Sequence, residues 1–248
     1  IYRPVPIGQR AATNEAARLS TAKYIMKCDA HCAFDEGFDV KLMANIEYDW
    51  TVIPRMYNLH VFDWKCSACG HQIYQGPKRE LCEKCEKAAN FEMVTVWQPR
   101  RNRRTDFARF DSTLHFQYWG SYEKQPEAQG DIADVMCCVG ACWMMHRDRF
   151  WELGGLDERH GSWGQMGVEI ACKSWLSGGR QVVNKTTWFS HMFRTRPGFS
   201  FPYPNPGVDK AREHSRWLWL GNNWEGAAIP FSELLEKSGL DDEHLQVG

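Results

Sequence analysis

The chain has 248 residues, 43% of them hydrophobic, and its 30 Lys and Arg residues face 31 Asp and Glu residues, which leaves a formal net charge of −1. This length and composition can build a core in one large domain or one domain plus a small module, which excludes a disordered linker. The near-neutral charge excludes a global basic field, so any binding to nucleic acid would be local. The least polar stretch, residues 135–145, is far shorter than the ~20 apolar residues of a membrane span, which predicts a soluble protein without a membrane partner.

Apolar residues at helical spacing alternate along the chain with short apolar or β-branched runs. The order of elements points to an α/β sheet flanked by helices. In chain order, the pattern predicts a helix at 9–20, a strand at 24–28, a helix at 37–47, strands at 51–53 and 114–119, helices at 147–153 and 167–177, a strand at 181–183, a proline-rich loop at 197–206, and helices at 208–220 and 231–237.

Residues 63–104 have weaker periodicity and carry two CxxC pairs separated by twelve residues. The pairs are Cys66-Ser67-Ala68-Cys69 and Cys82-Glu83-Lys84-Cys85. Two such knuckles let four thiolates close a tetrahedron around Zn²⁺ at about 2.3 Å, whereas four unrelated thiols are the plain alternative. Because four protein ligands leave no open position, the sequence predicts a structural zinc ion in an inserted zinc ribbon.

The cysteines also indicate the redox state of the cellular compartment. Ten cysteines could form a secreted disulfide scaffold, but the metal-ligand spacing of four of them favours a reducing environment. No charged segment leading into an apolar run follows Ile1, so there is no signal peptide to interpret. We therefore expect a cytoplasmic, reducing location.

A basic run, Arg100-Arg101-Asn102-Arg103-Arg104, follows the cysteine pairs and is flanked by Trp97 and Phe107. Arginines interleaved with aromatic residues are typical of a surface that contacts phosphates and stacks on bases. A solvated charged loop is the alternative interpretation. Arg100, Arg101, Arg103 and Arg104 are therefore candidate phosphate contacts.

An acidic turn, Asp29-Ala30-His31, comes directly after the predicted strand at 24–28. In an extended turn, alternate side chains can reach one cation. A turn that merely caps the next helix is the alternative interpretation.

The sequence around this turn resembles the GT-A glycosyltransferases of family 2, and more specifically the polypeptide N-acetylgalactosaminyltransferases. Asp29-Ala30-His31-Cys32 is similar to their DxH-Cys motif, and His191-Met192-Phe193-Arg194 is similar to their HVFR motif. The resemblance covers most of residues 8–220 outside the zinc module. It is also carried by residues 8–17, Thr51-Val52-Ile53-Pro54, Phe116-Gln117-Tyr118-Trp119, Arg147-Asp148-Arg149-Phe150, Gly154-Gly155-Leu156-Asp157, Trp163-Gly164 and residues 175–179.

The resemblance implies a GT-A-like α/β fold, a mixed sheet with flanking helices and an inserted zinc ribbon. The first β-α-β unit of such a fold would precede residue 8, so the chain is expected to lack it. The expected division is 1–62 for the N-terminal part of the GT-A domain, 63–104 for the zinc ribbon, 105–220 for the C-terminal part and 221–248 for a tail.

The resemblance also implies a reaction, the transfer of a sugar from a nucleoside diphosphate sugar, with UDP favoured, to an acceptor hydroxyl with retention of configuration. Asp29, His31 and His191 would hold a divalent cation, and two imidazoles with one carboxylate suit Mn²⁺ better than Mg²⁺. The implied donor-binding residues are Asn14, Asp29, Trp163 and Arg194.

The chain departs from the family pattern at two places. Gln165-Met166-Gly167 stands where the family has Glu-Asn after Trp-Gly-Gly, so the usual carboxylate is absent. Glu169 and Asp157 are the replacement candidates for a catalytic carboxylate. Thr13 stands where family 2 commonly has Arg.

Three hypotheses for the acceptor and activity follow. A hydroxylated base in DNA would suit the arginine run and would have to be flipped from the duplex. A protein or polysaccharide acceptor is the first alternative. A catalytically inactive zinc protein that binds nucleic acid is the second.

Overall fold

The structure is a computed structural model that describes residues 1–88, 90–111, 113–194 and 207–238. The loop predicted at 197–206 lies outside the described residues, as does the predicted tail beyond residue 238. The helices are α1 (Gln9–Arg18), α2 (Phe38–Met43), α3 (Arg147–Glu152), α4 (Met166–Leu176), α5 (Gly207–Ser215), continued by a wider turn at Arg216–Leu220, and α6 (Phe231–Lys237). The strands are β1 (Tyr24–Cys28), β2 (Cys32–Phe34), β3 (Trp50–Cys66), β4 (Gln72–Tyr74), β5 (Phe91–Thr105), β6 (Ala108–Phe110), β7 (Phe116–Tyr118), β8 (Ile132–Asp134), β9 (Cys142–His146) and β10 (Arg180–His191).

The central sheet has the strand order β1-β9-β3-β10-β2. Strands β3 and β10 run parallel, while β1 with β9 and β10 with β2 run antiparallel. The mixed sheet flanked by helices that the sequence predicts is therefore confirmed.

Helices cover both faces of the sheet. Because consecutive side chains of a strand point to opposite faces, neighbouring residues pack against different helices. In β10, Val182 packs with Leu42 of α2 on one face, and Val183 packs with Ile170 of α4 on the other. This explains why the central strands are nearly continuous apolar runs rather than alternating ones. Helix α4 is buried along its whole length, including two charged residues, Glu169 and Lys173.

Strand β3 is much longer than the predicted strand at 51–53. Beyond Met56, β5 takes the place of β9 along one edge of β3, and β4 joins the opposite edge at Asp63 to Lys65. The result is a β4-β3-β5 ribbon that leaves the sheet and ends at the cysteine pairs. The ribbon strands cross residues 62 and 104, and the division of the chain at these positions stays a prediction.

Among the described residues, the helices lack the length and apolar character that crossing a bilayer requires.

Candidate functional site

The carboxyl ends of β1 and β10 bring the predicted cation ligands together. Asp29 follows β1, His31 precedes β2, and His191 ends β10 opposite Cys32 in the antiparallel β2-β10 pair. Asp29 Oδ2 lies 3.2 Å from His191 Nε2 and 4.0 Å from His31 Nε2. Two atoms that bind one cation at about 2.0 to 2.4 Å lie about 3 to 4 Å apart, so this donor set fits a divalent ion.

The electrostatics of Asp29 and His31 suit metal ligation. Burial would raise the pKa of Asp29, but hydrogen bonds with His191 and Lys27 bring it below its usual value, so the carboxylate stays charged. Burial lowers the pKa of His31, and the neighbouring His191 and Arg194 lower it further. A neutral imidazole beside a carboxylate is the form that binds a cation.

Glu169, a predicted catalytic carboxylate, lies inside a buried ion-pair network. Its carboxylate oxygens are 2.7 Å from Arg10 Nε and 3.0 Å from Lys173 Nζ, and all three side chains are at most 3% exposed. The backbone N–H of Asp157 donates to Glu169 at 2.5 Å, while Arg10 donates to Gly164 O at 2.7 Å. These contacts hold α1, α4 and the loop before α4 together and leave Glu169 without exposed surface. A catalytic role for Glu169 stays a prediction. The buried ion pairs with Arg10 and Lys173 do not favour it.

We expect Glu169→Ala to destabilise the protein by about 3 to 5 kcal/mol, because two buried cations lose their partner. Urea unfolding measures the change, and Glu213→Ala, on the exposed side of α5, is the control, with an expected change within about 0.5 kcal/mol. A variant with wild-type stability and no activity would instead support the catalytic interpretation.

Asp157 and Asn14 also have protein partners. Hydrogen bonds from Arg159 and His214 outweigh burial and hold the pKa of Asp157 well below its usual range. His160 completes a second cluster of potential cation ligands with Asp157 and His214, but both of its ring nitrogens contact other atoms, Asp157 O and Ser215 Oγ. Asn14 is buried and exchanges two hydrogen bonds with Leu156, at 2.8 and 2.9 Å. These contacts stabilise the local structure around both residues. The catalytic role of Asp157 and the donor-binding role of Asn14 stay predictions.

The two remaining donor-binding candidates differ in position. Arg194 lies close enough to His31 for its charge to influence the pKa of that histidine. Trp163 is 37% exposed in the loop before α4. Both donor-binding roles stay predictions.

A close backbone approach accounts for the glycine at position 167, one of the residues at which the chain departs from the family pattern. A Cβ on Gly167 would lie 1.8 Å from Cys138 O, and a Cβ on Gly140 would lie 2.7 Å from Gly167 N. The first turn of α4 and the loop at 138–140 therefore approach more closely than any side chain at position 167 permits, which accounts for a glycine there.

The four predicted zinc ligands converge at the tip of the ribbon. Their sulfur atoms all lie within 4.8 Å of one another, and Cys69 Sγ lies 3.7 Å from Cys82 Sγ. Tetrahedral Zn²⁺ with bonds of about 2.3 Å places its sulfurs about 3.8 Å apart. Backbone N–H groups of Cys85 and Lys84 lower the pKa of Cys82 to about 6, which favours the thiolate that binds metal.

The two knuckles share one backbone geometry. Gly70 N–H donates to Cys66 O, and Glu86 N–H donates to Cys82 O at the equivalent position of the second pair. Both residues have positive φ, 70° and 56°. The sequence indicates the first turn through its glycine, whereas Glu86 carries no such signal.

The four candidate phosphate contacts lie on β5, and their partners differ. Arg100 stacks over Tyr74, and Arg101 lies beside the Tyr57–Trp188 ring pair, within 6 Å of both ring centres. Arg104 is 3.3 Å from Glu123. Arg101, Arg103 and Arg104 are exposed.

Sequence reasoning missed three buried cations among the described residues, Arg10, Lys27 and Lys173. Lys27 donates to Asp29 Oδ1 and, at 2.8 Å, to Gly140 O. A lysine inside the apolar run at 24–28 was a usable signal, because a strand residue buried on either face needs a partner for its charge. Arg10, on a helix that carries several other polar residues, had no distinguishing signal.

Comparisons with known proteins find similar sequences and a similar fold. No protein-family model matches the chain. The chain is 32% identical over 243 residues to the probable N-acetylgalactosaminyltransferase 8 of Caenorhabditis elegans, covering 92% of this chain and 49% of that protein. It is 31% identical over 140 residues to polypeptide N-acetylgalactosaminyltransferase 10 of Homo sapiens, covering 52% of this chain and 21% of that protein. The chain thus spans about half or less of the length of the curated relatives it matches.

A solved structure matches almost the whole chain. The crystal structure of GalNAc-T7 with UDP, GalNAc and Mn²⁺ superposes with a TM-score of 0.60 at 14% identity, covering 97% of this chain and 43% of that chain. This likeness shows the fold, and the relatives above show the sequence kinship. The chain therefore has the fold of a GT-A glycosyltransferase and is similar in sequence to the polypeptide N-acetylgalactosaminyltransferases.

Proposed function

We propose that this chain transfers a sugar from a UDP-sugar to an acceptor hydroxyl, with Mn²⁺ or another divalent cation at Asp29, His31 and His191. The convergence of these three side chains at one end of the sheet carries the proposal. The solved structure with UDP, GalNAc and Mn²⁺ supports it, since that protein shares the fold.

Each residue has a task in this proposal. Asp29 Oδ2 and the two imidazoles hold the cation, which supplies Lewis-acid neutralisation of the departing diphosphate. Arg194, next to His31, supplies a charge-assisted donor to the same group.

The test is the release of UDP from a panel of UDP-sugars with Mn²⁺, with EDTA as the negative control. We expect Mn²⁺-dependent release from at least one donor. Absence of both release and UDP binding, measured by calorimetry with Mn²⁺ present, would contradict the proposal.

We propose retention of configuration, as the family resemblance implies. An inverting transfer needs a carboxylate base within hydrogen-bond reach of the acceptor. Glu169 is buried in ion pairs and Asp157 is held by Arg159 and His214, which argues against either as that base. Proton NMR of the product's anomeric centre tests the stereochemistry, and an inverted product would contradict it.

We propose a hydroxylated base in DNA as the acceptor. The supporting observation is the strand register: Asn58 of β3 is paired with His191 of β10 on one side and with Arg100 of β5 on the other. Neighbouring strands lie about 4.8 Å apart, so the basic strand begins about 10 Å from the cation ligand. A duplex whose phosphates contact β5 would thus have a flipped base within reach of the cation site.

The arginines of β5 suit a nucleic acid in two ways. Arg101 and Arg103 present exposed charge for phosphates, and Trp97, 47% exposed on the same strand, offers a ring on which a base can stack. Arg104 is shared with Glu123 and would contribute less.

A duplex-binding titration at low and moderate salt tests this acceptor. We expect binding to weaken steeply with salt, and changing Arg100, Arg101, Arg103 and Arg104 to Ala to reduce affinity without changing sequence preference. The matched control removes four exposed basic residues elsewhere, Arg18, Lys23, Lys210 and Lys237, with the same change in net charge. Equal losses in both quadruple variants would contradict a specific role for β5.

A polypeptide acceptor is the second candidate, because the similar human protein is a polypeptide N-acetylgalactosaminyltransferase. Weak, salt-insensitive binding of DNA together with transfer to a peptide would favour it. Binding of DNA without UDP release from any donor would favour an inactive nucleic-acid-binding protein.

We also propose a reducing, intracellular location, supported by the four cysteines at metal-ligand positions. Fractionation of cells that express the chain tests it. Recovery of the chain with disulfides between these four cysteines would contradict it.

A further inference from the structure

Lys27 places a fixed positive charge inside the proposed cation site. It lies in β1, two residues before Asp29, and is 8% exposed. Its ammonium group contacts Asp29 Oδ1 and donates to Gly140 O at 2.8 Å. Burying an ammonium group is costly without such partners, so these two contacts fix its position.

The loop that carries Gly140 is held firmly. Gly140 has φ of 80°, and its backbone packs directly against Gly167 in the first turn of α4. The carbonyl that receives Lys27 therefore cannot move without displacing α4, and Lys27 cannot easily leave Asp29.

The two carboxylate oxygens of Asp29 contact different partners. Oδ1 faces Lys27, and Oδ2 faces His191 and His31. The charges of Asp29 and Lys27 cancel, and an imidazole contributes no negative charge. A divalent cation arriving alone thus meets a site without net negative charge and with a cation beside it, which weakens its binding.

A diphosphate changes this balance, because its negative charges interact favourably with both the divalent cation and Lys27. We propose that Lys27 makes cation binding depend on the nucleotide: it weakens binding of the cation alone and strengthens the mutual dependence of cation and diphosphate. Such mutual dependence is reciprocal, so the cation raises the affinity for the nucleotide by the same factor. The inference rests on the proposed donor site.

The test measures Mn²⁺ affinity from the electron paramagnetic resonance signal of free Mn²⁺, with and without UDP. The variants are Lys27→Gln, which keeps a hydrogen-bond donor without charge, Lys27→Met, which removes both, and Lys27→Arg, which keeps the charge. Lys41→Met is the control, since Lys41 also pairs with an aspartate, Asp35, away from the site.

Without UDP, Lys27→Gln and Lys27→Met are expected to bind Mn²⁺ at least about tenfold more tightly than wild type, because a neighbouring like charge is removed. UDP should then raise their Mn²⁺ affinity by a smaller factor than in wild type. Lys27→Arg and Lys41→Met should match wild type. A residue that only positioned Asp29 would give the opposite sign, a weaker affinity in both neutral variants.

Equal or weaker Mn²⁺ binding by Lys27→Gln overturns the inference while leaving the donor site in place. Absence of Mn²⁺ binding by wild type, with and without UDP, overturns the proposed donor site as well. Thermal melting checks folding, and Lys27→Gln carries the test if Lys27→Met fails to fold.

Discussion

Asp29→Ala and His191→Ala are each expected to lower Mn²⁺-dependent UDP release by about a thousandfold in kcat/KM. Each change removes one of the three proposed metal ligands, and the loss of charge neutralisation at the leaving diphosphate is expected to cost several kcal/mol. A loss of about 4 kcal/mol corresponds to about a thousandfold in rate. Mn²⁺ affinity, measured by electron paramagnetic resonance, should fall in parallel.

The control for this experiment is His115→Ala. His115 is exposed on the segment between β6 and β7, with Gln117 as its side-chain partner, and its loss should leave kcat/KM unchanged. Wild-type rates in either ligand variant, with wild-type melting temperatures, would show that the cation binds elsewhere or is not required.

Loss of zinc should unfold the ribbon tip while the central sheet remains folded. The tip buries only a small cluster around Cys66, Ile73, Cys82 and Phe91. A cluster of this size cannot offset the entropy of ordering the segment, whereas structural zinc binding contributes about 10 to 16 kcal/mol in small zinc modules. A Cys69→Ser, Cys85→Ser double variant should therefore lose its zinc ion and its amide protection from residue 64 to residue 91.

Metal analysis and hydrogen exchange measure the two effects. Cys172→Ala, which changes a buried cysteine of α4 outside the ribbon, should keep one zinc ion per chain. Unchanged protection at the tip after zinc removal would mean that β4 and its neighbours are stable without metal.

Most of the candidate ligands at the two proposed cation sites belong to short motifs. The CxxC pairs and the Asp29-Ala30-His31 turn are local patterns, because their side chains are brought together by a few residues of backbone. His191 lies 160 residues after His31 and became a candidate only through the family resemblance. The strand register that places it opposite Cys32 supplies the geometric reason.

The length of β3 could not be predicted in the same way. Its inner half is apolar because both faces are covered, which the pattern at 51–53 already indicated. Its outer half, from Asn58 to Lys65, is mixed in polarity: Leu59 and Phe62 are buried, Lys65 is exposed, and the segment pairs with β4 and β5. Partners that lie far away in sequence leave no periodic signal in the strand itself.

The residue types alone were sufficient for the α/β class, the zinc ligands and the acidic turn, because each depends on spacing along a short segment. The roles of Glu169 and Lys27 required the folded chain. The contact of Glu169 with Arg10, 159 positions away, identified a buried ion pair that the sequence did not indicate. Lys27 acquires its position beside Asp29 partly from Gly140, 113 positions away. Whether a charge is buried, and what compensates it, depends on such distant contacts, and no local pattern encodes them.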